Sequence, residues 1–426
     1  MKHIKRALAV LVLLIVAAAG TLYWMGTRED AGGGPPASGD AASLAERGRY
    51  LALAGNCMAC HTSRGGKPYA GGTPVPTPFG VVYGPNLTPD PQTGIGAWSA
   101  DDFWRALHNG KSRDGTLLYP AFPYTEYTRM TRADADALYA FLRTVEPVNQ
   151  PNRPAEMEFP YNQRALLAFW RALYFKPGTL QSDAGQSAPW NRGRYLVEGP
   201  GHCAACHTPR NSLGATRAAE PLAGGVIPVL DWYAPPLTND LSVGMGRWQA
   251  TDIAALLKTG IAAHSTATGP MAEVVRGSTQ YLSDDDALAI GVYLKTLPAT
   301  PAATQRQAAS ASPALMDIGG KIYRQQCVQC HQAAGEGAGS AWPALAGNPG
   351  VTAPSPVNAI RMVLDGGYAP ATAANPRPHG MPPFGQLLND NDIAALVTYI
   401  RNSWGNEAGG VTPLEVKRAR DASTRN

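Results

Sequence analysis

The residues with the clearest chemistry are six cysteines, which lie in three short motifs that each end in a histidine. At this spacing two thiols can form thioethers with the two vinyl groups of one porphyrin, and the adjacent histidine can ligate its iron. The sequence therefore predicts three covalently bound haem c groups. The motifs are Cys57-Met-Ala-Cys60-His61, Cys203-Ala-Ala-Cys206-His207 and Cys327-Val-Gln-Cys330-His331, with His61, His207 and His331 as proximal iron ligands.

Two other uses of Cys-x-x-Cys pairs fit the pattern less well. A structural zinc site commonly combines two such pairs, or one pair with a distant histidine pair, whereas successive motifs here begin more than 120 residues apart. A dithiol redox site does not need the trailing histidine. Both readings remain alternatives to haem.

The length and composition of the chain limit the number and type of its domains. The 426 residues suffice for two or three domains, and the three motifs favour three. Only 16% of residues are charged, while 46 are glycine and 37 are proline. This composition is typical of small, loop-rich domains folded around a large apolar cofactor. The net charge of +4 gives no indication of nucleic-acid binding.

The N-terminus carries an export pattern. Basic residues up to Arg6 precede an apolar run from Ala7 to Met25, which is close to the ~20 residues of a membrane-spanning helix. A retained anchor is favoured over a signal peptide cleaved after Ala19. Either outcome delivers the chain to the periplasmic face of a bacterial inner membrane, where haem c is attached. Residues 27–42 are predicted to be a flexible tether.

Each motif lies in a repeated context. A short helix is predicted before it, with Arg-Gly-Arg-Tyr-Leu in the first two copies, and a capped helix closes each copy. Thr131, Ser283 and Asn389 are the predicted N-caps, each followed by an acid three residues later and preceded by an apolar staple residue. The predicted segments are an anchor at 1–26, domains at 43–150, 189–298 and 314–405, linkers at 151–188 and 299–313, and a C-terminal tail at 406–426.

One segment between the first two domains stands apart from the repeat. Residues 159–175 are predicted to form one amphipathic helix. Packing between domains is the favoured role for it, and contact with a partner is the alternative.

A haem that carries electrons usually has methionine as its second axial ligand, which raises the reduction potential. This ligand should come from a loop between the haem motif and the closing helix. Met381 and Met271 are predicted to ligate the third and second irons. Met362 and Met245 occupy predicted core positions instead.

The first copy lacks an obvious second ligand. Phe122 stands at the place equivalent to Met381 and cannot bind iron. Met130 is the tentative ligand, although the repeat aligns it with the staple residues Leu282 and Leu388. Met157, His108 and an open sixth position are the alternatives.

The chain resembles the triheme cytochrome c subunits of membrane-bound bacterial dehydrogenases for alcohols, aldehydes and sugar acids such as gluconate. The resemblance covers nearly everything after the apolar run. Phe122 differs from the methionine common in alcohol-oxidising members and favours the subset that serves molybdenum aldehyde-type enzymes. The similar segments are Tyr119-Pro-Ala-Phe-Pro-Tyr124, Arg192-Gly-Arg-Tyr-Leu-Val197, Gly201-His-Cys-Ala-Ala-Cys-His-Thr-Pro-Arg-Asn211, Gly269-Pro-Met271 and Pro343-Ala-Leu-Ala-Gly-Asn348.

The resemblance implies an all-α fold of three tandem class I-like cytochrome c domains with loop-rich haem pockets, plus an N-terminal membrane helix. It implies that electrons pass from a separate catalytic subunit, of quinoprotein, flavoprotein or molybdenum type, to ubiquinone or a terminal oxidase. No catalytic residue is expected in this chain. Two other roles remain open: a free-standing or oxidase-associated electron donor, and a peroxidase-like enzyme that uses His108 and Glu126 above an open iron.

Overall fold

The chain folds into two units. The computed structural model describes residues 1–263, 265–300, 311–339 and 341–423. The first unit contains residues 1–182 and 198–202, and the second contains residues 183–197 and 203–426. Most of the predicted linker at 299–313 lies outside the described residues.

The first unit is mainly helical and has one small antiparallel sheet of strand order β1-β2-β3. Within the described residues, α1 is the one helix long and apolar enough to cross a membrane. The elements of this unit are α1 (Lys2–Thr27), α2 (Ala41–Ala54), α3 (Cys57–His61), β1 (Pro74–Thr77), β2 (Gly80–Tyr83), α4 (Ala100–Asn109), α5 (Tyr124–Tyr127), α6 (Arg132–Leu142), β3 (Glu156–Met157) and α7 (Leu166–Tyr174).

The core of the first unit forms where α2 crosses α6. Gly48 makes the close approach possible, because a Cβ atom there would lie 1.9 Å from the carbonyl oxygen of Ala137. Beside the crossing, Arg47 pairs with the carboxylate of Asp134 at 2.6 Å. The hydroxyl of Thr131 accepts a hydrogen bond from the Asp134 N–H, so the predicted cap of α6 is confirmed.

The segment predicted to be a flexible tether makes several hydrogen bonds to the first unit. The Asp30 N–H donates to Asn109 Oδ1 at 2.8 Å, and the Asn109 side-chain amide donates back to the Asp30 carbonyl at 3.0 Å. The Arg132 N–H donates to the Gly33 carbonyl, and the Ala37 N–H donates to a carboxylate oxygen of Asp136. This stretch therefore lies along the ends of α4 and α6.

Within its described residues, the second unit contains two helix pairs like α2 and α6 and three two-stranded sheets. Its elements are α8 (Ala188–Glu198), α9 (Ala204–His207), β4 (Gly225–Ile227), β5 (Trp232–Ala234), α10 (Ala250–Thr259), β6 (Ile261–Ala262), β7 (Ser265–Thr266), α11 (Gly269–Gly277), a 3₁₀ turn (Thr279–Tyr281), α12 (Asp284–Leu294), α13 (Pro313–Gln326), α14 (Val328–His331), α15 (Pro349–Thr352), α16 (Val357–Asp365), β8 (Gly367–Tyr368), β9 (Gly380–Met381), α17 (Asp390–Arg401) and α18 (Pro413–Ser423).

Both helix pairs of the second unit repeat the glycine contact. A Cβ atom on Gly193 of α8 would lie 1.9 Å from the carbonyl oxygen of Ala289 in α12. A Cβ atom on Gly319 of α13 would lie 2.2 Å from the carbonyl oxygen of Ala395 in α17. The predicted caps are again confirmed, because the Ser283 hydroxyl and the Asn389 side chain each accept an N–H from the third residue of the helix.

The stretch assigned to a C-terminal tail contains α18. Val416, Ala419 and Ala422 are buried and recur every three residues along one face of this helix. Val416 and Ala419 belong to the same apolar cluster as the buried residues of α16 and α17. The end of the chain thus completes the core around α17.

Two elements differ from the sequence prediction. The prediction of a helix over residues 159–175 is wrong at its beginning, since hydrogen-bonded turns occupy residues 158–163 and α7 starts at Leu166. The short strands were not predicted, because segments of two to four residues leave no readable alternation.

Candidate haem sites

Each haem motif follows the end of the first helix of a helix pair. The motif histidines end the short helices α3, α9 and α14. Asn56 and His202, which directly precede the first cysteine of the first two motifs, have positive φ angles of 50° and 39°. Asn56 lies two residues after the end of α2 and His202 lies four residues after the end of α8, and each redirects the chain into its motif.

Each of the three motif histidines makes the same type of hydrogen bond. His61 Nδ1 lies 2.8 Å from the carbonyl oxygen of Pro85, and His207 Nδ1 lies 2.7 Å from that of Pro235. His331 Nδ1 lies 3.0 Å from the carbonyl oxygen of Pro343. A carbonyl can only accept, so Nδ1 carries the proton in each ring and Nε2 keeps the lone pair that an iron ligand needs.

The protonation states of these groups suit iron binding. Burial lowers the pKa of His61, His207 and His331, against the opposing effect of the bond to the carbonyl oxygen, and so favours the neutral ring. Burial, with a smaller effect of the partner cysteine, raises the pKa of the Cys57 and Cys203 thiols to about 12. Both thiols are therefore protonated at neutral pH.

The proline carbonyls are functional groups that the sequence analysis missed. A backbone oxygen has no residue signature, but its position here does repeat. Each proline begins a Pro-x-Leu triplet that follows its haem motif, and the triplets are Pro85-Asn-Leu87, Pro235-Pro-Leu237 and Pro343-Ala-Leu345. Aligning the three copies on this triplet would have located the partner of each histidine.

Met271 and Met381 lie on short elements after their haem motifs. Met381 is in β9, which pairs with β8, and is packed against the apolar cluster that contains Cys327. Met271 is in the first turn of α11, beside Gly269. Met245 is buried, as is Ile95 at the equivalent place of the first copy, which fits the core role predicted for Met245.

Met130 occupies a different environment from Met271. Its side chain is 1% exposed and belongs to the apolar cluster against which Cys57 packs. It directly precedes the N-cap Thr131, where the other copies carry the buried residues Leu282 and Leu388. The structure thus places Met130 close to the first haem motif and also in a packing position.

The alternative ligands of the first iron lie elsewhere. His108 is fully buried in α4, where Nε2 lies 2.8 Å from Asp30 Oδ2 and Nδ1 lies 3.4 Å from the Thr128 hydroxyl. Both of its ring nitrogens therefore have partners. Met157 lies in β3 at the edge of the small sheet, and Phe122 packs against the core of the first unit.

Paired cysteines, a neutral histidine with a free Nε2 and an apolar cluster beside them define a c-type cytochrome. The cytochrome c family matches residues 45–146 and 316–404, which include the first and third motifs. The second motif, at residues 203–207, lies outside both matched ranges but has the same histidine–proline bond.

Several relatives extend this match over most of the chain. The cytochrome c subunit of alcohol dehydrogenase (quinone) from Gluconacetobacter polyoxogenes is 40% identical over 397 residues, covering 89% of this chain and 84% of the relative. The gluconate 2-dehydrogenase cytochrome c subunit of Pantoea cypripedii is 41% identical over 399 residues, covering 90% of each. The fructose dehydrogenase cytochrome subunit of Gluconobacter japonicus is 36% identical over 414 residues, covering 90% of this chain and 84% of the relative.

The chain belongs to this family of dehydrogenase cytochrome c subunits. Covalently bound haem c and electron transfer follow from the family. The resemblance inferred from the sequence is thereby confirmed.

Proposed function

We propose that the chain holds three haem c groups in three tandem cytochrome c domains and relays electrons for a dehydrogenase. The domains correspond to residues 43–150, 189–298 and 314–405, joined by linkers at 151–188 and 299–313. The proposed ligands are the cysteines Cys57, Cys60, Cys203, Cys206, Cys327 and Cys330, the proximal histidines His61, His207 and His331, the distal methionines Met271 and Met381, and Met130 as the tentative distal ligand of the first haem.

Two features shared by all three motifs support the number of three haems. Each motif histidine donates from Nδ1 to a proline carbonyl. Each motif also follows a helix that meets its closing helix at a glycine. The second region has both features, although it lies outside the ranges matched to the cytochrome c family. Three sites with the same proximal arrangement support three haems rather than two.

The proposed relay begins at a catalytic subunit and ends at ubiquinone or a terminal oxidase. Haem c supplies one-electron exchange when it is bound. The residues of this chain fix the tautomer of each histidine, and Met271 and Met381 would supply a thioether to the iron. The names of the relatives support substrates of the alcohol and sugar-acid class, with aldehydes as the neighbouring class. The catalytic subunit would be a quinoprotein, a flavoprotein or a molybdenum enzyme.

The proposed location is the periplasmic face of the bacterial inner membrane. Helix α1 supports it through its length of 26 residues and a mean hydropathy of 2.3. The apolar side chains from Leu8 to Val16 are exposed in the fold. They would face lipid if α1 is retained as an anchor.

Counting haem tests the number of sites. The protein carrying Cys203→Ala and Cys206→Ala should lose one third of its haem by pyridine haemochromogen assay and one haem by intact mass. The matched variants Cys57→Ala with Cys60→Ala, and Cys327→Ala with Cys330→Ala, should show the same loss. Two haems in the unmodified protein, or no loss from the second motif, would contradict the proposal.

Gentle detergent extraction tests the relay. The chain, purified from native membranes, should bring with it a larger subunit that contains a quinone, flavin or molybdenum cofactor. Adding the substrate of that subunit should reduce the haem, and adding a ubiquinone analogue should reoxidise it. Recovery of the chain alone, or with oxidase subunits, would replace the proposal with a free-standing or oxidase-associated donor.

A further inference from the structure

Helix α7 packs directly on the C-terminal end of α1. A Cβ atom on Gly26 would lie 1.7 Å from the carbonyl oxygen of Ala168, so the two backbones touch. The rings of Tyr23 and Phe169 are 6.2 Å apart. The guanidinium of Arg171, which is 2% exposed, donates to the Gly26 carbonyl at 2.7 Å. The two helices are thus fixed to each other at the end of the apolar run.

Helix α7 has one face turned inward and one face exposed. Ala168, Arg171 and Phe175 recur at spacings of three and four residues and are buried. Leu166 and Leu173 recur at a spacing of seven, and they are 45% and 59% exposed. A helix brings positions seven apart to the same side, so the outward side of α7 is apolar.

The turn before α7 extends this apolar surface along the chain. Phe159 is 80% exposed and Tyr161 is 39% exposed. Tyr174, at the other end of the helix, is 37% exposed. Exposed large apolar side chains concentrated in one segment mark a contact surface rather than ordinary scatter. Phe159, Tyr161, Leu166, Leu173 and Tyr174 are called the α7 surface below.

The contact of α7 with α1 indicates what covers this surface. At 1.5 Å per residue, the 26 residues of α1 extend about 39 Å, more than the ~30 Å of bilayer hydrocarbon. Tyr23 and Trp24 at its outer end are 46% and 59% exposed, as expected of aromatic residues at a membrane–water interface. The guanidinium of Arg28 stacks over the Trp24 ring at 4.7 Å. Because α7 packs at this level, an α1 that spans the bilayer would bring the outward face of α7 to the headgroup region.

We infer that the α7 surface is a second membrane contact, which lies in the lipid interface and holds the first unit against the bilayer. The inference rests on the proposed anchoring by α1 for its position. It adds a monotopic contact to that anchor. Apolar residues on one side of a short helix, with aromatic residues at its ends, are typical of such interfacial elements.

Photo-crosslinking in native membranes tests this contact on the full-length haem-containing protein. The photoreactive residue p-benzoylphenylalanine would replace Leu173 or Phe159. Leu241 and Leu387 are matched control positions, because they are leucines of the second unit with 66% and 64% exposure. A fifth variant at Leu11 reports on the anchor itself. Phospholipid attached to the protein is detected by mass spectrometry, and the absorption spectrum of each variant checks the fold.

Lipid adducts at Leu173 and Phe159, but not at Leu241 or Leu387, are the expected result. Protein crosslinks without lipid at Leu173 and Phe159 would overturn the inference and assign the α7 surface to a subunit contact. No adduct at these two sites, with a lipid adduct at Leu11, would overturn it while leaving the anchor intact. Loss of the Leu11 position by cleavage, with lipid at Leu173, would leave the α7 surface as a contact that needs no retained anchor.

A charge substitution gives an independent measurement. The double variant Leu166→Glu with Leu173→Glu places two carboxylates in the proposed interface, whereas Leu241→Glu with Leu387→Glu places them in water. With the photoreactive residue in place of Phe159, the first variant should lose the lipid adduct and the second should retain it. Equal adduct yields in the two variants would contradict the inference.

Discussion

The first and second haem regions have the same proximal side and different distal sides. In both, the histidine donates to a proline carbonyl and a glycine lies against a carbonyl of the closing helix. Their closing helices also end alike, since Arg143 donates to the Gly96 carbonyl and Lys295 donates to the Gly246 carbonyl. In the proposed function, these shared features would position the cysteines and the histidine that attach each haem.

The distal segments diverge between these two regions. The second has Met271 in the first turn of a nine-residue helix. The first has Phe122, and its nearest methionine, Met130, is buried before the cap of the closing helix. The two regions therefore share the surroundings of the motif histidine and differ in the segment proposed to supply the second axial ligand. Variants in these segments can therefore distinguish the two regions experimentally.

The largest effect is expected from removing a distal methionine. Met271→Leu should remove a thioether ligand and lower the reduction potential of one haem. The contribution of that haem to the methionine–iron absorption band should also disappear. The swap nearly conserves volume, so the stability cost should stay below about 1.5 kcal/mol. Redox titration and the ferric absorption spectrum measure both effects.

The proposed ligation by Met130 predicts the same loss for Met130→Leu. Leucine already occupies this place in the other two copies, as Leu282 and Leu388, so the fold should tolerate it. An unchanged absorption band would show that Met130 only packs. It would leave the first iron without methionine and sharpen the contrast with the second region.

Because the two regions have the same close helix crossing, a methyl group added at the crossing glycine should destabilise both equally. Gly48→Ala and Gly193→Ala each place a Cβ atom 1.9 Å from a backbone oxygen, so the helices must separate. A cost of about 3 kcal/mol is expected for each, at the upper end for overpacked cores. Urea unfolding followed by haem absorption measures it.

Gly320→Ala is the matched control for these variants. A Cβ atom there would lie 3.0 Å from the Tyr399 ring, which is a side chain and can move. The loss of stability should be below about 1 kcal/mol, because alanine also favours the helix. If Gly48→Ala and Gly193→Ala cost no more than this control, the crossings do not constrain the helices.

Acidification should affect helix α4 of the first region more than helix α10 of the second. Burial lowers the pKa of His108, although Asp30 acts in the opposite direction, and Lys258 occupies the equivalent place in the second region. The unfolded chain binds a proton near pH 6.5, whereas the folded chain does so only at lower pH. Stability therefore falls as the pH falls below about 6.5, by up to about 1.4 kcal/mol per pH unit.

Amide hydrogen exchange of α4 and α10 between pH 5 and 7, corrected for the intrinsic rate, measures this difference. His108→Gln should remove the additional pH dependence of α4 and leave that of α10 unchanged. The same pH dependence in the variant and the unmodified protein would exclude His108 as its source.

The smallest effect is expected at the arginine pairs. Arg47 binds Asp134 at 2.6 Å, and Arg192 binds Asp286 at 2.7 Å. Both arginines are partly exposed, so Arg47→Ala and Arg192→Ala should each cost about 1 kcal/mol or less. A much larger loss from either variant, measured by the same urea unfolding, would show that this pair is specific to one region.

The sequence predicted the parts of the molecule that depend on spacing. Cysteine and histidine spacing located the three motifs, and repetition located the closing helices with their caps at Thr131, Ser283 and Asn389. Caps are predictable because a side chain near the helix start satisfies a nearby N–H. The buried staple residues Leu282 and Leu388 follow from the same local pattern.

Parts that depend on distant contacts were missed. Helix α18 was assigned to a tail because Lys417, Arg418 and Arg420 obscure its apolar stripe. The tether was assigned from its glycines, but its order comes from hydrogen bonds between Asp30 and Asn109, 79 residues apart. The proximal acceptors are backbone oxygens, which residue type does not report. Met130 stays undecided because ligation and packing both favour a buried methionine.

The repeated bond from histidine to proline carbonyl has a consequence for energy conversion. A ring that donates from Nδ1 is a stronger electron donor to its metal, and the three rings donate to the same kind of acceptor at 2.7–3.0 Å. In the proposed relay, this bond would therefore shift the reduction potentials of the three haems by a similar amount. Differences in reduction potential between the proposed haems, and with them the direction of electron flow, would then come from the distal ligands and from the dielectric environment of each haem.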